Sequence, residues 1–241
     1  RLVTVEWPVE AVFEELLTET AARVAERAGL GPVGMAPLLA ARARGYLEVE
    51  RQLEWTGGAL SGVLGSEVEG AAEIPGVDRK LSFRADRVGG LGGAITLIDY
   101  KASRPVSDAK KEVTRRKHLE TSIARGRRLQ AVAYASAAGV DSPRGAYLFL
   151  KPHDEWSDEV RVLALGRDDE KAAELFENAV QTIDRARTAG IAFPRLEEAD
   201  GKAAGHCLYC SVAEACRRDD SAFRRDLVRW MGGPDDRGGV A

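Results

Sequence analysis

The run Leu81-Ser82-Phe83-Arg84-Ala85-Asp86-Arg87-Val88, answered by Ala94-Ile95-Thr96-Leu97-Ile98-Asp99-Tyr100, decides the fold of this chain. Each predicts a strand, and Gly89-Gly90-Leu91-Gly92-Gly93 between them predicts a flexible hairpin connection. Lys101 follows directly. Side chains two apart on a strand share a face, so Asp99 and Lys101 are expected to point one way and Tyr100 the other. If the two strands pair, Asp86 comes alongside Asp99. Two carboxylates and an ammonium then form one patch at the exit of a sheet.

That grouping suits phosphate chemistry. A hard divalent ion such as Mg²⁺ takes one or two carboxylates plus backbone oxygens, waters and substrate phosphate. It makes a water nucleophilic and stabilises charge on the phosphate, while a lysine beside it orients the water or holds the phosphate. Taken alone, Asp-x-Lys reads far more readily as a salt-bridged pair on a surface hairpin.

Reading outward, Glu67–Ile74 alternates with period two and predicts a third strand, giving a meander. Upstream, the chain opens with helical material. Val9–Arg27 places apolar residues near a 3.6 period, Gly29 stops it, and a second helix is expected from about Pro37 to Trp55. Downstream, 107–138 reads as helical and basic. Residues 108–128 hold eight Lys or Arg against three Asp or Glu, a net +5, with Arg115, Arg116, Lys117, Arg125, Arg127 and Arg128 as candidates for phosphate-backbone contact. Gln130 and Tyr134, four apart, stack on one helix face. Ala146–Lys151 and Glu159–Leu165 predict strands, and Asp168–Arg187 a long amphipathic helix.

The chain of 241 residues, 44% hydrophobic and 30% charged, is ordinary for a globular protein, which excludes a disordered or fibrous one. No apolar run approaches the roughly 20 residues a membrane span needs, and no basic-then-apolar signal segment opens the sequence. A net charge of −3 excludes a histone-like polycation, although it averages the +5 segment with acidic helices elsewhere. No G-x-x-x-x-G-K-[ST] sequence occurs, so an ATP-driven motor is expected on another segment or subunit.

All three cysteines fall in Cys207-Leu208-Tyr209-Cys210-Ser211-Val212-Ala213-Glu214-Ala215-Cys216. A C-x2-C-x5-C spacing suits a metal or cluster site in a reducing, cytoplasmic setting better than a disulfide framework. Unrelated thiols would not crowd into ten residues, and for Zn²⁺ the neighbouring His206 is an awkward fourth ligand.

The ordered set Arg84-Ala85-Asp86-Arg87-Val88, Ile98-Asp99-Tyr100-Lys101-Ala102 and Leu129-Gln130-Ala131-Val132-Ala133-Tyr134-Ala135 resembles the RecB/AddB-type nuclease branch of the PD-(D/E)XK superfamily. The match spans about 67–139 and extends to the cysteines; the first helices are not diagnostic. The resemblance implies an α/β restriction-endonuclease-like core, a mixed central sheet flanked by helices, over 61–200. A helical segment would precede it over 1–60, a cysteine motif and helix would follow over 201–231, and 232–241 would be a disordered tail.

The resemblance also implies roles. Asp86 and Asp99 look like ligands of Mg²⁺ or Mn²⁺, with the Tyr100 carbonyl as backbone ligand, and Lys101 looks like the catalytic lysine. Gln130 and Tyr134 match the helix motif that positions DNA and the active-site strand. An acidic residue before the first strand is also expected; Glu67 or Glu69 could fill it, with Glu67 slightly preferred. Cys207, Cys210 and Cys216 resemble the trio that, with one upstream cysteine, holds a [4Fe–4S] cluster in AddB-like relatives. This sequence lacks that upstream cysteine and the histidine of an N-terminal helix, since His118, His153 and His206 all come later. The start at Arg1 suggests that both were cut away or lie on a segment outside this sequence; the alternative expectation is a cluster completed by another ligand, or a remnant site that no longer binds iron.

The expected function is metal-dependent hydrolysis of DNA phosphodiesters, as an exonuclease on single-stranded or unwound DNA. The domain would serve a helicase–nuclease in DNA repair or recombination, with a helicase domain or subunit as partner and no membrane. The contrasting expectation is a catalytically inactive DNA-binding or helicase-docking module of the same fold.

Overall fold

A computed structural model describes residues 3–30, 34–55, 59–91, 94–153 and 155–190. The chain divides into two compact units, Arg1–Asp184 and Arg185–Ala241. Only 185–190 of the second are described, so the expected cysteine motif, the helix after it and the tail lie outside the described residues.

The first unit is built on a six-stranded sheet whose spatial order follows the chain. Its strands are β1 (Val3–Glu6), β2 (Ala59–Ala72), β3 (Leu81–Leu91), β4 (Ala94–Lys101), β5 (Arg144–Phe149) and β6 (Val162–Leu165). Every neighbouring pair is antiparallel except β4 and β5. A parallel pair needs a crossover, and residues 102–143 supply it with α3 (Glu112–Ala124) and α4 (Gln130–Ala135). Two long helices, α1 (Glu10–Arg27) and α2 (Met35–Glu54), precede β2; a helical turn, α5 (Asp158–Arg161), precedes β6, and α6 (Glu170–Thr188) follows it. The sheet is therefore mixed and helix-flanked, as expected from the sequence.

Both faces of β5 are covered, which is why Ala146, Tyr147, Leu148 and Phe149 are all buried and the strand reads as a continuous apolar run. On one face Tyr147 and Phe149 join Leu119 and Ile123 of α3, Ala131 and Val132 of α4, and Phe176 and Val180 of α6. On the other, Ile98, Ala146 and Leu148 meet Tyr46, Val49 and Leu53 of α2. Close approach of α4 to the sheet needs Gly145, because a Cβ there would lie 1.8 Å from the Ala131 carbonyl oxygen.

Four local expectations are corrected. The chain opens with a strand, β1, whose four residues are all exposed and so carry no alternation to read. Gly89 and Gly90 are not a hairpin connection: they continue β3 and pair with Thr96 and Ile95. There the β2 and β3 backbones crowd, and a Cβ on Gly62 would meet the Gly90 carbonyl oxygen at 2.6 Å. The expected helix over 107–138 is two helices broken at Gly126, which takes a left-handed φ of 70°. The strand expected from Glu159 begins only at Val162, after the turn of α5.

Candidate active site

Asp86, Asp99 and Lys101 meet where β3 and β4 part. The β3–β4 ladder ends at the pair Arg87–Ile98. Beyond it the Tyr100 backbone N–H donates to the Asp86 carboxylate at 2.7 Å, so Asp86 replaces the missing ladder bond and is fixed beside β4. Asp99 is 5% exposed, and its Oδ2 lies 2.5 Å from the Lys101 ammonium. That contact pairs the buried carboxylate with the one cation that reaches it among the described residues. Burial pushes the Asp99 carboxyl above the usual range; Lys101 draws it back, and the charge of Asp86 raises it further.

Helix α4 completes the cluster. Lys101 Nζ donates to Gln130 Oε1 at 3.1 Å. Tyr134, fully buried, donates to the Arg84 carbonyl at 2.9 Å, and its hydroxyl lies 3.4 Å from Asp99 Oδ1. Burial and then the two aspartates hold the Tyr134 phenol well above its ordinary range, so it stays a donor. The expected Asp86, Asp99, Lys101, Gln130 and Tyr134 thus converge on one spot.

The opposite face of β4 carries a second network, not anticipated from the sequence. Tyr100 Oη lies 3.1 Å from both Glu50 Oε1 and Glu54 Oε2 of α2, and Glu54 also pairs with the buried Arg87. Burial raises the Glu54 carboxyl in spite of Arg87, and it keeps the Tyr100 phenol protonated. The signal in the sequence is slight: Glu50 and Glu54 stand four apart beside the apolar stripe Tyr46, Val49 and Leu53, a costly place for unpartnered charge. Tyr147 was likewise unforeseen. Its hydroxyl accepts the Ala131 N–H at 3.1 Å, and its ring lies 5.6 Å beneath the Lys101 ammonium.

Glu67 is not drawn into this cluster. It is exposed, has a φ of 53°, and pairs with Arg84 at 2.8 Å; Glu69 is exposed on the same strand. The six basic candidates separate. Arg115 donates to the carbonyls of Ala109 and Lys110, and Arg116 pairs with Asp169, so both brace the fold. Lys117, Arg125 and Arg127 are exposed, and Arg128 is half-buried near Lys101.

The donor set fits a hard divalent ion in its minimal form: two neighbouring carboxylates, Asp86 and Asp99, the second buried. Among the described residues no group of three His, Cys, Asp or Glu comes together, so water and substrate oxygens would fill the remaining positions. The family model described as the PD-(D/E)XK nuclease superfamily matches residues 4–217. No curated protein matches the chain. A solved structure described as "Crystal structure of SSO0001" is similar over 84% of each chain, with 16% identity and a TM-score of 0.32, and nothing further rests on that likeness.

Proposed function

Because the chain belongs to the PD-(D/E)XK nuclease superfamily, we propose that it is a Mg²⁺- or Mn²⁺-dependent deoxyribonuclease of the RecB/AddB type. The substrate is single-stranded or unwound DNA, cut as an exonuclease within a helicase–nuclease that serves repair or recombination. The observation that carries this reading is the convergence of Asp86, Asp99, Lys101, Gln130 and Tyr134 at the parting of β3 and β4.

Asp86 and Asp99 are the residues that would hold the ion, with the Tyr100 carbonyl as the proposed backbone ligand. A bound divalent ion supplies Lewis acidity, making water acidic enough to attack and offsetting phosphate charge. The Lys101 ammonium, steered by Asp99 and Gln130, neutralises the charge that builds on the phosphate and orients the attacking water. Tyr134 fixes the Asp99 carboxylate from behind. Cys207, Cys210 and Cys216 are proposed to hold a [4Fe–4S] cluster, with the fourth ligand from outside this sequence.

The test is cleavage of single-stranded DNA in Mg²⁺ by native protein and Lys101→Ala. We expect a loss of at least a hundredfold in kcat, the scale of one electrostatic donor in a preorganised site. Unchanged cleavage removes Lys101, and this assignment, from the chemistry.

A further inference from the structure

We propose that Arg128 is a phosphate-binding residue of this site: it holds a backbone phosphate of the DNA strand next to the one hydrolysed at Lys101. The inference rests on the nuclease reading above and singles out one residue from the basic segment.

Three observations carry it. First, Arg128 is one of three residues other than glycine with a positive φ among those described, at 56°. A long side chain is disfavoured there, and glycine would fit at no cost, as it does two residues earlier at Gly126. Backbone strain of this kind collects where a side chain must be aimed.

Second, the guanidinium is aimed at the active-site face of β5. Its Cζ stands 5.5 Å from the centre of the Phe149 ring. The neighbouring Tyr147 ring, 6.0 Å away, underlies the Lys101 ammonium at 5.6 Å. Lys101 and Phe149 are partners across the parallel ladder. Two cations therefore sit side by side on a shelf of two aromatic rings, which hold the cations by cation–π attraction while leaving their donors for a ligand.

Third, the two cations are compensated differently. Lys101 has Asp99. Among the described residues Arg128 meets no carboxylate; its polar contact is the Ser103 hydroxyl, at 3.4 Å and exposed. Arg115 and Arg116 are spent on backbone carbonyls and Asp169. A half-buried guanidinium that meets no carboxylate among the described residues, beside the proposed catalytic lysine, is suited to bidentate phosphate contact. The Ser103 hydroxyl accepts from Arg128 and donates to the Arg104 carbonyl, each at 3.4 Å.

The experiment measures binding of a labelled single-stranded oligothymidylate in EDTA, by fluorescence anisotropy across a range of KCl concentrations. The proteins are the native chain, Arg128→Gln, Arg128→Gly and, as a remote surface control, Lys171→Gln. Loss of one phosphate contact is expected to weaken binding about tenfold. It should also flatten the slope of log K against log salt by about 0.7 in both Arg128 variants. Lys171→Gln should leave both unchanged. Arg128→Gly relieves the left-handed strain, so its Tm should stand at or above that of the native protein; weaker DNA binding by a protein no less stable separates ligand contact from fold support. Native binding with unaltered affinity and slope in the Arg128 variants overturns this assignment alone. Absence of DNA binding by the native protein overturns the nuclease reading, and this inference with it.

Discussion

Asp99 shows what the site costs the fold. Its carboxylate is buried and close to the charge of Asp86, so the folded chain holds a proton there more tightly than the unfolded chain does. The raised pKa fixes the sign: the folded state binds more protons than the unfolded one above the ordinary value of 3.8. Stability of the metal-free protein should therefore fall as pH rises through that interval. Asp99→Asn should flatten this dependence and, in EDTA at neutral pH, leave Tm no lower than native. Mg²⁺ should reverse the order, raising native stability by about 2.7 kcal/mol at a hundredfold excess over Kd and the variant's by far less. Thermal melts with and without Mg²⁺ across pH check both statements. The five residues that converge where β3 and β4 part were legible because their ordered motifs resemble those of one family; Gln130 and Tyr134 alone are an ordinary pair. Arg87, Glu50, Glu54 and Tyr147 were not, because their roles arise from pairing between elements 16 to 50 residues apart, which no local spacing encodes.

At the scale of elements, α1 and α6 were readable from 3.6-residue periodicity, and β4 and β5 from apolar runs. The failures share a cause. A glycine pair reads as a turn because glycine frees the backbone, yet Gly89 and Gly90 lie in a strand, where a Cβ on Gly62 of β2 would meet the Gly90 carbonyl oxygen at 2.6 Å. Exposed β1 offers no pattern, since neither of its faces is buried. The most exacting contact between elements is Gly145 under α4. Gly145→Ala would drive a methyl into the Ala131 carbonyl, and helix and strand backbones can separate only together. We expect a loss of about 3 kcal/mol, at the upper end for overpacking, read from the urea midpoint. Cleavage should fall as well, because α4 carries Gln130 and Tyr134.

At the scale of the whole molecule, the match to the superfamily model runs over 4–217 and includes the cysteines. The cluster reading makes a direct prediction for the intact chain. Protein purified without oxygen, together with whatever upstream segment its reading frame supplies, should be brown, with broad visible absorption and iron near four per chain. Cys210→Ser should bleach it. A colourless protein containing zinc instead would replace the cluster with a tetrahedral site. The −3 total charge hides a local +5 over residues 108–128, within the crossover that joins β4 to β5.

The single parallel step in an otherwise antiparallel sheet has a consequence in time. β2, β3 and β4 are joined by short connections, so their pairing closes small loops on about the microsecond scale of hairpins. Asp86 and Asp99 become neighbours in that event. Lys101 gains Gln130, Tyr147 and the Arg128 shelf only after the chain has travelled 102–143 and laid β5 alongside β4, a later and entropically dearer closure. The expected order of assembly is therefore the carboxylate pair first and the groups of α4 and β5 when the crossover docks, to be read as higher φ-values in β3 and β4 than in β5.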